Sequence, residues 1–274
     1  MGEEPAGGAA RRLVETRQRG WIDPARAGFG HSRHSCAEGL SPYAEHFWIS
    51  TWDLAEPYTQ RLISHPTVNL TVTEEYARVA GVIRGEFSCT LEGRGRVVGL
   101  RFRPGGFRPF AGGPVSRLTG RFVSLPDMYG TAGATLWREV LASPDEEAMR
   151  LIERFLLDLR PAPAPTIDPL IERAAALVAA AETDQTITRV DQLAALAGTS
   201  VRSLQRLFQE YVGIGPKWVI RRFRLHEAAE RVRDGLAPAD LAAELGYTDQ
   251  AHLTRDFAAA VGLPPAAYQR LTSA

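Results

Sequence analysis

The chain has 274 residues, 45% hydrophobic and 23% charged, with 32 basic and 32 acidic side chains. A net charge of zero makes any cationic surface a local feature, and two cysteines are too few for a disulfide framework. No apolar run approaches the ~20 residues of a bilayer-spanning helix, and Met1 to Ala10 lacks the apolar centre of a secretory signal. The expectation is a cytoplasmic protein of two domains with no membrane partner.

Residues 1–38 are rich in Gly, Ala, Arg and Glu without a sustained period, which predicts disorder. From Pro42 to Leu125 the texture changes to short apolar or alternating runs: Phe47-Trp48-Ile49, Thr67 to Val72, Arg78 to Ile83 and Val97 to Phe102. Gly93, Gly95, Gly105, Gly106, Gly112 and Gly113 punctuate the later ones, a pattern of a small β-barrel or sandwich. Helical periodicity returns at Thr135-Leu136-Trp137 and again from Glu146 to Leu159, where Met149, Ile152, Phe155, Leu156 and Leu159 share one face. Residues 39–160 are therefore expected to form a β-rich domain with C-terminal helices, suited to sensing or dimerisation. Prolines at 161, 163 and 165 cannot continue a helix, so 161–169 is expected to be a linker. Residues 170–274 then read as helical throughout.

That last part repeats itself. Leu193-Ala-Ala-Leu-Ala-Gly198 is echoed by Leu241-Ala-Ala-Glu-Leu-Gly246, and Leu204, Arg206, Phe208, Gly213 and Pro216 recur as Leu253, Arg255, Phe257, Gly262 and Pro265. In the first unit Val190, Leu193, Ala194 and Ala197 give a short helix one apolar face. Gly198 follows where a left-handed cap needs a residue without Cβ, and Thr199 and Ser200 can cap the next helix. That helix turns Leu204, Leu207, Phe208 and Tyr211 inward. The second unit repeats the plan with Gly246 at the turn, Thr248 or Asp249 as cap, and Leu253, Phe257 and Val261 inside. Pro216 to about Arg233 reads as a single helix joining the two, about 27 Å long at ~1.5 Å per residue. From Ser200 to Arg233 there are eight cations against three carboxylates, a net +5.

Two helix-turn-helix units with Arg and Gln near the starts of their second helices fit DNA, since Arg pairs bidentately with guanine and Gln with adenine. These motifs resemble the AraC/XylS family of bacterial regulators over about residues 185–271. The resemblance rests on Leu193 to Ser200, Leu204-Gln-Arg-Leu-Phe208 and Gly213-Ile-Gly-Pro216, then on Glu244 to Phe257, Gly262-Leu-Pro-Pro265 and Tyr268. It implies base-reading positions at Arg202, Ser203, Gln205 and Arg206, and at Gln250, Ala251, His252 and Arg255. Phosphate contacts are implied at Lys217, Arg221 and Thr254. Ala251 is a departure, many members carrying Ser there. The implied fold is α+β and multidomain: a cupin-like β domain, more loosely matched through Val98 to Gly106, ahead of an all-α domain with two helix-turn-helix motifs on a long helix. Implied partners are double-stranded DNA, RNA polymerase and, through the β domain, a small-molecule effector whose binding residues the sequence does not name. Activation is the commoner behaviour in the family, and either a monomer or a homodimer fits.

Other constellations have plainer readings. His31, His34 and Cys36, with His46 and His65, match no standard zinc spacing, so solvent-exposed side chains are preferred to a metal site. Phe47, Trp48, Trp52 and Tyr58 are read as core in preference to a ligand pocket. Arg101, Arg103 and Arg108 could bind an anionic effector, but an outward polar strand face is preferred. A cupin-type metal enzyme with a DNA-binding tail is the alternative function. It lacks the clustered His and Glu of such a centre, so neither catalytic residues nor a cofactor are expected.

Overall fold

The computed structural model describes residue 22 and residues 27–160 and 167–272. Eight strands lead: β1 (Phe29–His34), β2 (Ala44–Asp53), β3 (Tyr58–Ile63), β4 (Asn69–Val72), β5 (Ala77–Ala80), β6 (Glu86–Leu91), β7 (Arg94–Phe102) and β8 (Phe122–Ser124). Nine α-helices follow among the described residues: α1 (Leu125–Ala142), α2 (Asp145–Asp158), α3 (Pro169–Thr183), α4 (Val190–Leu196), α5 (Val201–Leu207), α6 (Pro216–Arg233), α7 (Pro238–Glu244), α8 (Gln250–Val261) and α9 (Pro265–Thr272). The protein is thus a β-rich domain followed by an all-α one, as the periodicities imply.

Six strands form one antiparallel sheet in the order β1-β2-β7-β4-β5-β8, and β3 pairs with β6 in a separate two-stranded ladder. Because side chains alternate along a strand, the large sheet has two distinct faces. One carries Phe47, Ile49, Leu70, Val79, Leu100 and Phe102, all buried, and packs with Leu136, Val140, Met149, Ile152 and Leu156 of α1 and α2. At ~25 cal/mol per Å² this face supplies the main apolar burial of the domain. The other face carries Trp48, Trp52, Thr71, Arg78 and Arg101 and borders a cavity closed by β3 and β6. Trp48 lies opposite Gly99, and Trp52 opposite Gly95. A Cβ at either glycine would come within 2.0 or 2.3 Å of the indole, so each ring lies flat on bare backbone.

One expectation needs correction. Residues 1–38 are not uniformly irregular: Phe29–His34 pair in register with Phe47–Trp52 of β2, which satisfies their backbone groups, while 1–21 and 23–26 lie outside the described residues. Most of the expected linker, 161–166, also lies outside them, and α3 starts at Pro169, capped by Asp168 Oδ1, which accepts from the Leu170 amide at 2.9 Å. No described helix is long and apolar enough to cross a membrane.

Candidate nucleic-acid interface

Each helix-turn-helix is assembled by the same devices. In the first unit, Leu193, Leu204 and Phe208 are fully buried together with Val219 and Ile220 of α6. Gly198, at φ 58°, makes the turn, and Ser200 caps α5 by accepting from the Ser203 amide at 3.2 Å. In the second unit Leu241, Leu253 and Phe257 are buried against Leu225, Ala228, Ala229 and Val232 of the same α6. Gly246, at φ 73°, makes that turn, and Asp249 caps α8 by accepting from the His252 amide at 2.7 Å. The 18-residue α6 therefore carries one unit on each half, and its apolar face joins both cores.

The structure places the expected site residues unevenly. Arg202, Gln205 and Arg206 are exposed on α5 and engage no partner among the described residues. Ser203 is half-buried, and its hydroxyl oxygen accepts from the Ser200 hydroxyl at 3.0 Å. On α8, Gln250, Ala251 and Arg255 are exposed, and Arg255 Nε donates to the Ala251 carbonyl at 3.3 Å. His252 is half-buried and meets Tyr247 edge-on, at 5.1 Å between centroids. Its Nε2 is 3.6 Å from Asp256, whose carboxylate also accepts from Arg221 at 2.5 Å. Thr254 is half-buried, and Lys217 is exposed at the start of α6.

The cationic stretch from Ser200 to Arg233 is narrower than its composition suggests. Arg222 and Arg224 are buried. Arg222 donates to the Arg84 carbonyl and lies 4.5 Å over the Trp218 ring, and burial pulls its pKa down to about 10. Arg224 donates to the carbonyls of Gln185 and Ile187. Arg231 is paired with Glu227 and Glu244. Arg202, Arg206 and Lys217 remain outward and unpaired among the described residues. Asp256, which gathers Arg221 and His252, was not singled out from the sequence, although its i,i+4 spacing from His252 was a legible signal.

The helical module is also fastened to the β domain. Arg108 pairs with Glu210 at 2.7 Å, Thr119 donates to the Gly213 carbonyl, and Ile63 at the end of β3 enters the second unit's core. His226 of α6 approaches the Ser64 carbonyl at 3.3 Å and lies 4.2 Å, ring to ring, from His65. The three arginines read as one outward face therefore part company: Arg101 borders the cavity and pairs with Glu45 at 3.0 Å, Arg103 donates to the Ser41 carbonyl, and Arg108 spans the domain junction. Phe47 is core as expected, whereas Trp48 and Trp52 line the cavity. Among the described residues no three His, Cys, Asp or Glu gather as metal ligands.

A helical module with two glycine turns, each opening a capped helix, is a double helix-turn-helix, and comparison with known proteins finds the same motif. Residues 193–271 match the family described as Helix-turn-helix domain, and residues 32–124 match Domain of unknown function (DUF6597). An uncharacterised HTH-type transcriptional regulator of Haemophilus influenzae is 30% identical over 99 residues, which are 36% of this chain and 33% of that protein. The chain thus spans about a third of that relative's length. The C-terminal domain of AraT, a response regulator from Geobacillus stearothermophilus, is 23% identical and covers 38% of this chain and 85% of its own, with a TM-score of 0.33. ToxT from Vibrio cholerae is 11% identical and covers 90% of this chain and all of its own, with a TM-score of 0.38. Over residues 193–271 the helical module of this protein is thus similar to a helix-turn-helix domain.

Proposed function

We propose that the protein is a one-component transcription regulator that reads double-stranded DNA with α5 and α8 and adjusts that reading through its β domain. The observation that carries this is the outward, unpartnered set Arg202, Gln205 and Arg206 on a capped helix, duplicated in plan by Gln250, Ala251 and Arg255 across α6. With α6 about 27 Å long at ~1.5 Å per residue, the two helices suit major grooves one turn (~34 Å) apart on the same side of the duplex. Lys217 and Thr254 suit phosphates, and Arg221 does once released from Asp256. A monomer carries both reading helices. Activation through contact with RNA polymerase in the cytoplasm completes the reading.

The β domain is assigned a small-molecule sensing role because its cavity and the junction share a wall. Ile63, Ser64 and His65 border the cavity, and the same three residues meet α6 and the second unit's core. A change in cavity occupancy therefore acts on the helix that spaces the two readers.

Selection of DNA from a random pool by the full chain, at two salt concentrations, tests the DNA reading. The expected product is an asymmetric site with two boxes about one turn apart, its affinity falling with salt as phosphate contacts require. Sequence-blind binding at both salt concentrations would overturn it.

A further inference from the structure

The cavity between the inner face of the large sheet and the β3–β6 ladder has a volume of about 250 Å³. That is close to the lower end of small-molecule sites (~300 Å³ upward), the scale of a compact one-ring molecule. Its lining includes the indoles of Trp48 and Trp52 and the side chains of Leu62, Phe87 and Leu91, surfaces that suit an organic body.

Its charge is one-sided. Arg33, Arg78 and Arg101 all border it, and its lining includes neither Asp nor Glu. Among the described residues Arg101 pairs with Glu45, whose charge also reaches Arg33 and which is not itself part of the lining. The crowding of positive charge is felt by its neighbours. Burial, then Arg33, then His46 lower His31 to about 4, and burial followed by the Arg101 charge lowers Arg33. A buried excess of one sign is costly unless matched, and the matching species here is an anion.

One position in the cavity is prepared to hold it. Arg78 and Thr71 are direct cross-strand partners on β5 and β4, and both border the cavity. The Arg78 guanidinium is fixed between two rings, 3.7 Å from the Tyr76 centroid and 4.1 Å from that of Phe122. Its Nε and the Thr71 Oγ1 are both buried, and neither has a hydrogen-bond partner. Directly opposed strand residues have Cβ atoms ~5 Å apart, so a small turn of the two side chains toward the cavity lets one carboxylate accept from both.

We infer that the cavity binds a compact organic anion of one-ring size, its carboxylate held by Arg78 and Thr71 and its apolar body lying over Trp48 and Trp52. This ligand class rests on the sensing role proposed above, and the two can fail separately.

The test is calorimetric titration of the full chain with benzoate and phenylacetate, against benzamide, phenylacetamide and inorganic phosphate at matched ionic strength. The acids should bind at least ~tenfold more tightly than their amides or phosphate. Arg78→Gln should erase that preference and Thr71→Val should reduce it, with DNA affinity in the absence of acid reporting that each variant is folded. If Arg78→Gln does not fold, Thr71→Val decides. Amides or phosphate binding as well as the acids, no acid binding at millimolar concentration, or a preference unchanged in the folded variants would each overturn the inference. Acids that bind as expected while leaving DNA affinity unchanged would keep the ligand class and remove the sensing role.

Discussion

The two helix-turn-helix units share a plan and differ in how they use their charges. On α5, Arg202, Gln205 and Arg206 face outward with no partner among the described residues. Around α8, Asp256 draws in Arg221 at 2.5 Å and stands 3.6 Å from His252, while Arg255 leans back on its own helix. The first unit is thus poised to make contacts and lose none, whereas the second must exchange internal contacts for external ones. Duplication of a motif does not duplicate its role: the first unit is suited to base reading, and the second to a binding step that its own carboxylate restrains.

The comparison can be broken most severely at the cores. Phe257→Ala should remove ~3–5 kcal/mol from the second unit. Footprinting should then show the second DNA box unprotected and the first retained. Loss of both boxes together would mean that the units are not separable. Next in size, Arg206→Ala should cost ~1–3 kcal/mol of specific binding and relax one base position, with a smaller loss for Arg255→Ala. Equal losses in binding titrations would erase the asymmetry, and an Arg206→Ala loss that is the same on every sequence would make that residue a phosphate contact.

Smaller still are the caps. Ser200→Ala and Asp249→Ala should each cost about 1 kcal/mol of stability, read from chemical denaturation of the full chain. No loss in either would remove the capping account. Smallest is Asp256→Asn, which frees Arg221. Affinity should rise slightly, and the salt dependence should steepen by about one phosphate's worth. A weaker complex with an unchanged slope would show that Asp256 serves α8 as support rather than restraint.

The helical module was legible because two independent constraints coincide in it. Gly198 and Gly246 mark left-handed turns where the apolar period breaks, and Leu204 with Phe208, and Leu253 with Phe257, resume the period four residues apart. What composition misjudged there was availability. Arg222 and Arg224 look like part of a cationic face, but α6 is buried on most sides, so both turn to backbone carbonyls. The β domain was legible on its core face only. Runs such as Val97 to Phe102 announce a strand, yet nothing local tells what covers its second face, so Arg101 and Trp48 were assigned to solvent and to core. The covering comes from β3 and β6, which pair across 22 intervening residues at Ile63 and Glu86 and more at their other ends. The alternation of Phe87, Cys89 and Leu91 along β6 was present in the sequence and marks an inward face. The tilt of β1 toward the cavity depends on its partner β2 and had no comparable local mark.

The large sheet, with helices on one face and the cavity on the other, works as a partition between what keeps the domain folded and what it recognises. Substitutions at Gln60, Leu62, Phe87 or Leu91 reshape the chamber from the ladder side, and leave Leu70, Leu100 and Phe102 undisturbed behind the large sheet. A lineage built on this wall is free to change its chemical signal by drift on one surface alone. The bare backbone of Gly95 and Gly99 keeps the two indoles in place as the furnishings around them are replaced.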